Sequence, residues 1–299
     1  MPSAGARQPT CLIPASWIVI KPRIRLWDKA REGNTVDYVE HFRREVAAFE
    51  AAGRVAAGFE AAPAVPSCPE WVMTDLVLHL GRVHRIVARI IGERMQEPPD
   101  RGDRSWLGLA SEWADWLPPG RAPQRSPVPA GLLDWFHAGA GDLRERFSTA
   151  DPGEPVWTWW TDHTAGFWQR MQAIEAAVHR WDAENAVGQA GPIDAALATD
   201  AVGQTFQIMA PMRRARAKAA PGHGERFLFR RGDGADTWAV RFDGDAVLLG
   251  TDDSHYDIQI SGSASDLVLF LWQRPVTSKL EIHGDTSLLS RYFALVPPL

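Results

Sequence analysis

Cysteine is nearly missing from this chain: two residues, Cys11 and Cys68, in 299. A pair so far apart suggests no disulfide framework, and so low a count fits a reducing compartment, the cytoplasm. Basic excess is missing too. The formal net charge is −5 and the pI about 6.0, which leaves no electrostatic footprint for nucleic acid. Long apolar runs are also wanting. CLIPASWIVI, 11–20, is about half of the ~20 residues that cross a bilayer, and no small-residue cleavage site follows it. No internal repeat or low-complexity tract is visible. Residues 1–33 read as a poorly ordered N-terminal extension, and the remainder as a chain without a membrane role. What is abundant is tryptophan, with 14 residues. Its N–H needs a partner when buried, so the count points either to core packing or to an aromatic-walled cavity.

Helical rhythm begins at Asn34. Val36, Val39, Phe42, Val46 and Phe49 recur at spacings of three and four, one face of an amphipathic helix. After the proline-broken AAPAVPSCPEW, a second helix is predicted from an N-cap at Thr74 to about Met95. A short helix is expected around Trp106–Trp116, a third long one over 130–147, a fourth from Gly166 to Val187 and a fifth over 191–218. After APGHGE, 220–225, the period changes to two. RFLFRRG, TWAVRFDGDAVLLGT and YDIQISG read as strands with glycine turns, SDLVLFLWQR as a helix, KLEIHGD as a strand and SLLSRYFAL as a helix. The fold class is therefore α followed by α+β. An N-terminal helical bundle covers 34–219 and a small α+β domain 220–299.

One stripe carries chemistry. In AIEAAVHRWDAENAVG, Glu175, His179 and Asp182 stand at i, i+4 and i+7. Acid–His pairs at i,i+4 number three in the chain: Asp37/His41, Asp75/His79 and Glu175/His179. Roughly one is expected by chance, and such pairs are usually solvated or capping contacts. The flank distinguishes the last. Phe167, Met171, Ile174 and Val178 form an apolar stripe, and Glu175 and His179 lie about 100° round the helix from Ile174 and Val178, at the edge of the buried face. Bundles build metal sites from such inward Glu and His side chains. His79, on a face marked by Leu76, Leu80 and Val83, is the candidate third ligand, with His84 as the alternative. Two imidazoles and one carboxylate leave a coordination position open, the mark of a catalytic zinc site.

These residues resemble a known family. VPSCPEWVMTDLVLHLGRVHR, 65–85, is similar to the first signature of the mycothiol-dependent maleylpyruvate isomerases. VWTWW followed by FWQRMQAIEAAVHRWDAENAVG resembles the second, and SDLVLFLWQRP with LEIHGD resembles the family's tail. The resemblance spans about residues 36–299. It implies a DinB-like four-helix bundle followed by a sterol-carrier-like α+β domain. It also implies a divalent metal, zinc in most relatives, held by His79, Glu175 and His179, with Asp182 behind them. Where many relatives carry an arginine or a histidine just before the glutamate, this chain has Met171 and Ile174, which opens the question of its substrate contacts.

The chemistry implied is a mycothiol sulfur activated by the metal and attacking an electrophile. Cis–trans isomerisation of a conjugated diacid is one outcome, since thiol addition makes the double bond briefly single. S-transfer to an apolar electrophile is the other. A diacid calls for arginines, and Arg170, Arg241 and Arg274 are the candidates for substrate contact. A metal hydrolase lacks its general base here, there being no His-Glu-x-x-His motif. A non-enzymatic small-molecule binding module is the remaining alternative. The partners expected are a small thiol of the actinobacterial type and an electrophilic substrate, and the protein is expected to be a monomer or homodimer.

Overall fold

The computed structural model of the protein describes residues 36–100, 104–116, 123–250 and 254–298. The expected extension, 1–33, lies outside them. Four long helices come first: α1 Tyr38–Ala57, α2 Met73–Gly92, α3 Ala130–Thr149 and α4 Ala165–Ala186. Helix α1 packs on α3 and α4, and α2 on α3 and α4. Asp37 caps α1 by accepting from the Glu40 N–H at 2.9 Å, and Thr164 caps α4 by accepting from the Phe167 N–H at 3.2 Å. Helix α2 starts one residue before the predicted cap. Asp75 reaches back to accept the Val72 N–H at 3.0 Å, so Thr74 falls inside the first turn. The helix stops at Gly92, and Arg94 turns the chain with φ 48°.

Gly81 lets α2 and α3 approach. A Cβ at that position would lie 2.4 Å from Trp135 Cζ3, too close for any side chain. Trp135 in turn donates from Nε1 to Leu107 O at 2.9 Å, and Arg85 lies over its ring. Most described tryptophans are buried in this manner, which favours the core-packing side of the tryptophan alternative.

Helix α5 (Ala195–Gln204), a π-helical turn (Thr205–Met209) and α6 (Ala210–Ala217) follow as nearly one rod. A five-stranded sheet then forms from β1 Gly222–Arg231, β2 Thr237–Gly244, β3 Ala246–Gly250, β4 Ile258–Gly262 and β5 Glu281–Gly284, in the order β3-β2-β1-β4-β5. All neighbours are antiparallel except β1 and β4. Helices α7 Ala264–Leu271 and α8 Leu288–Leu295 cover it, with Phe227, Phe229, Phe242 and Phe270 ringing the buried Tyr292. Helix α5 packs on α7, which joins the helical part to the α+β unit. Among the described residues no helix is long and apolar enough to cross a membrane. Cys68 is buried and disulfide-bonded, a departure from the expected absence of disulfides; Cys11 lies outside the described residues.

Candidate metal centre

Helix α4 is buried nearly all round, enclosed by α1, α2 and α5. Glu175 and His179, placed by the sequence pattern at the edge of a buried face, are therefore inside, at 0% and 2% exposure. A helix clothed on several sides has no wet edge. His79, 3% exposed, comes in from α2. One ligand atom from each of His79, Glu175 and His179 lies within 4.8 Å of the others. The two imidazoles meet edge to face with centroids 5.1 Å apart, and Trp71 covers the other side of His79 at 5.1 Å.

The buried atoms at the centre are unfulfilled. His79 Nε2 and Glu175 Oε1 face each other at 3.4 Å, and neither has a hydrogen-bond partner. Buried polar atoms are seldom left so. A cation between them would satisfy both. Burial pushes the His79 imidazole below its ordinary pKa, against the opposing pull of Glu175, and favours the neutral form that a metal ligand requires. Two nitrogen donors and one carboxylate oxygen form a set that fits a divalent transition ion.

Around this trio stands a supporting layer. Gln172 Nε2 donates to Glu175 Oε2 at 2.7 Å and fixes that carboxylate. His179 Nδ1 lies 2.9 Å from Asp182 Oδ2. Asp182 is fully buried and also accepts Ser67 Oγ at 2.5 Å and Arg274 Nε at 2.9 Å, with Arg274 Nη2 on its other oxygen. Burial would raise the Asp182 pKa, but the Arg274 charge and the bonds from His179 and Arg274 overcome it and hold the carboxyl well below the usual carboxylate range. An ionised carboxylate only accepts, so the proton of His179 sits on Nδ1 and its Nε2 lone pair is free for a ligand bond.

Other expected residues lie elsewhere. His84 is fully buried between Phe42 and Phe136, outside the trio, with both ring nitrogens unpartnered. Arg170 forks onto Asp200 at 2.8 and 2.9 Å and reaches Gln207. Arg241 is exposed on β2 and paired with Asp243 at 2.8 Å. Of the three arginines, Arg274 alone is bonded to the layer around the trio. Two other acid–His spacings have plain structural causes, since Asp37 and Asp75 cap helices. The sequence reading missed Gln172, Ser67 and Trp71. Gln172 could have been found as the residue one turn before Glu175; Ser67 sits in a loop and carries no periodic signal.

A helical assembly with an inward His-Glu-His trio that could hold a metal ion is joined to a small sheet-bearing unit. Residues 42–184 match the mycothiol maleylpyruvate isomerase N-terminal domain. Two solved structures share its fold. A mycothiol-dependent maleylpyruvate isomerase superposes with a TM-score of 0.55 at 11% identity, covering 84% of this chain and 93% of that one. A mutant of such an isomerase gives 0.56 at 12% identity with the same coverage. At such identity the likeness shows the fold, helices plus a five-stranded sheet. No curated protein matches the sequence.

Proposed function

We propose that this protein is a metal- and mycothiol-dependent enzyme that works by thiol attack on an electrophile, maleylpyruvate isomerase-like in its outcome. Residues 34–219 would form a DinB-like bundle holding the ion, and 220–299 a sterol-carrier-like unit closing over it. The observation that carries this reading is the orphaned His79 Nε2–Glu175 Oε1 pair beside His179, all buried. His79, Glu175 and His179 would hold a divalent ion, zinc being the best match to such a donor set. When bound, the ion would supply an acidified thiol at neutral pH. Asp182 orients His179, Arg274 and Ser67 orient Asp182, and Gln172 holds Glu175. Trp71 and the surrounding apolar side chains keep water from the trio.

S-transfer to an apolar electrophile is the second reading. It is favoured by Arg170 and Arg241, each already engaged by its own acid. The deciding experiment is metal quantification followed by assay of the loaded protein with mycothiol. Loss of the cis isomer of a conjugated diacid supports the first reading. Thiol conjugation of an apolar electrophile supports the second. Absence of stoichiometric metal, with no thiol-dependent turnover after zinc is added, sinks both and favours a binding module. Ester or amide cleavage without thiol would mark a hydrolase.

A further inference from the structure

Arg213 carries a buried charge with no acid against it among the described residues. It lies on α6, 5% exposed, and its only hydrogen bond runs from Nη1 to Leu271 O at 3.3 Å; Nε has no partner among the described residues. Its neighbours in the same helix and site are provided for. Arg214 donates to the carbonyls of Gly244, Leu295 and Ala220, and Arg274 is neutralised by Asp182. Burial without a counter-charge is costly enough that native proteins seldom leave a cation so placed.

The surroundings of Arg213 offer donors in excess. Its Cζ lies 5.4 Å from the Trp272 ring, and Arg274 Cζ lies 5.9 Å from the same ring. Trp272 Nε1, Gln273 Nε2 and Tyr292 Oη are likewise buried and unpartnered. Trp272 Nε1 and Gln273 Nε2 can only donate, as can Arg213. Burial lowers the Arg213 pKa to about 10, so it stays charged at neutral pH. An uncompensated cation stacked on a tryptophan whose own N–H is orphaned describes a place for an anion, and Trp272 lies two residues before Arg274, which braces Asp182 and through it His179.

We propose that Arg213, with the Trp272 Nε1–H, receives a carboxylate of a small acidic ligand on the Trp272 ring that Arg213 shares with Arg274. The choice of a diacid as ligand rests on the isomerase reading; anion binding at Arg213 does not, and needs neither metal nor thiol. Maleate is the probe, with its neutral dimethyl ester as control, titrated calorimetrically into the full-length protein with and without zinc and followed by thermal unfolding.

Maleate is expected to bind and raise Tm, and the ester to do neither. Arg213→Met should weaken maleate roughly tenfold or more. It should also raise the ligand-free Tm, because an uncompensated buried charge has gone. A purely structural arginine would do the reverse. Trp272→Phe keeps the ring, removes the N–H and should weaken maleate severalfold. No maleate binding to the wild type, or undiminished binding in Arg213→Met, overturns the proposal. Should Arg213→Met not fold, undiminished binding in Trp272→Phe overturns it instead. Maleate binding retained in a protein that takes up no metal would leave this site standing while the thiol-activation reading fell.

Discussion

Arg274 Nε donates to Asp182 Oδ1 at 2.9 Å across 92 residues of sequence, while the other oxygen of that carboxylate meets His179 Nδ1 at 2.9 Å. A side chain from the α+β unit thus braces the carboxylate that holds the proton of His179 on Nδ1. Groups behind a metal ligand commonly change affinity by about 10–100-fold when removed.

Arg274→Gln should therefore lower zinc affinity by about that factor, read by competition against a chromophoric chelator. It should also lower Tm, because loss of one partner strands a buried charge at a cost of about 3–5 kcal/mol. Unchanged affinity would confine Arg274 to substrate contact or packing.

His79→Ala removes one of three proposed ligands. Metal content after dialysis should fall well below one ion per chain, and thiol-dependent turnover should vanish. Full retention of both would take residue 79 out of the centre.

His84 sets an acid limit on stability. Burial among Phe42 and Phe136 drops its pKa from 6.5 to about 3. The unfolded chain therefore takes up this proton first as pH falls. The full stability is present above pH 6.5 and is lost progressively from there towards pH 3, with a slope of about one proton. His84→Phe should flatten that limb in denaturant melts at pH 5 against pH 7. An unchanged slope would show that the imidazole has a partner in solution.

Gly81→Ala places a Cβ 2.4 Å from Trp135 Cζ3, two residues from His79. Overpacking of this kind costs about 1–3 kcal/mol. Chemical denaturation should show that loss with the m-value unchanged, and a neutral result would mean that α2 and α3 separate freely.

Much of the helical part can be read directly, because Phe42, Val46 and Phe49, or Leu76 and Leu80, repeat at the period of a helix. The strands are equally visible as alternation. Strand order is not, since the parallel partnership of β1 with β4 depends on contacts between distant segments. Local sequence likewise nominated His79, Glu175 and His179, but not their depth: how many neighbours clothe α4 is a tertiary fact. Ser67, Gln172 and Arg213 stayed hidden for the same reason. Each matters through what it meets or fails to meet, and nothing in the flanking residues announces that.

The brace from Arg274 also sets a timetable. On a ribosome adding about 5–20 residues per second, the arginine follows Asp182 by roughly 5–20 seconds. During that interval His179 already has Asp182 one turn on, yet that carboxylate lacks the arginine that neutralises it. If the trio holds an ion as proposed, its full affinity would wait on the synthesis of Arg274.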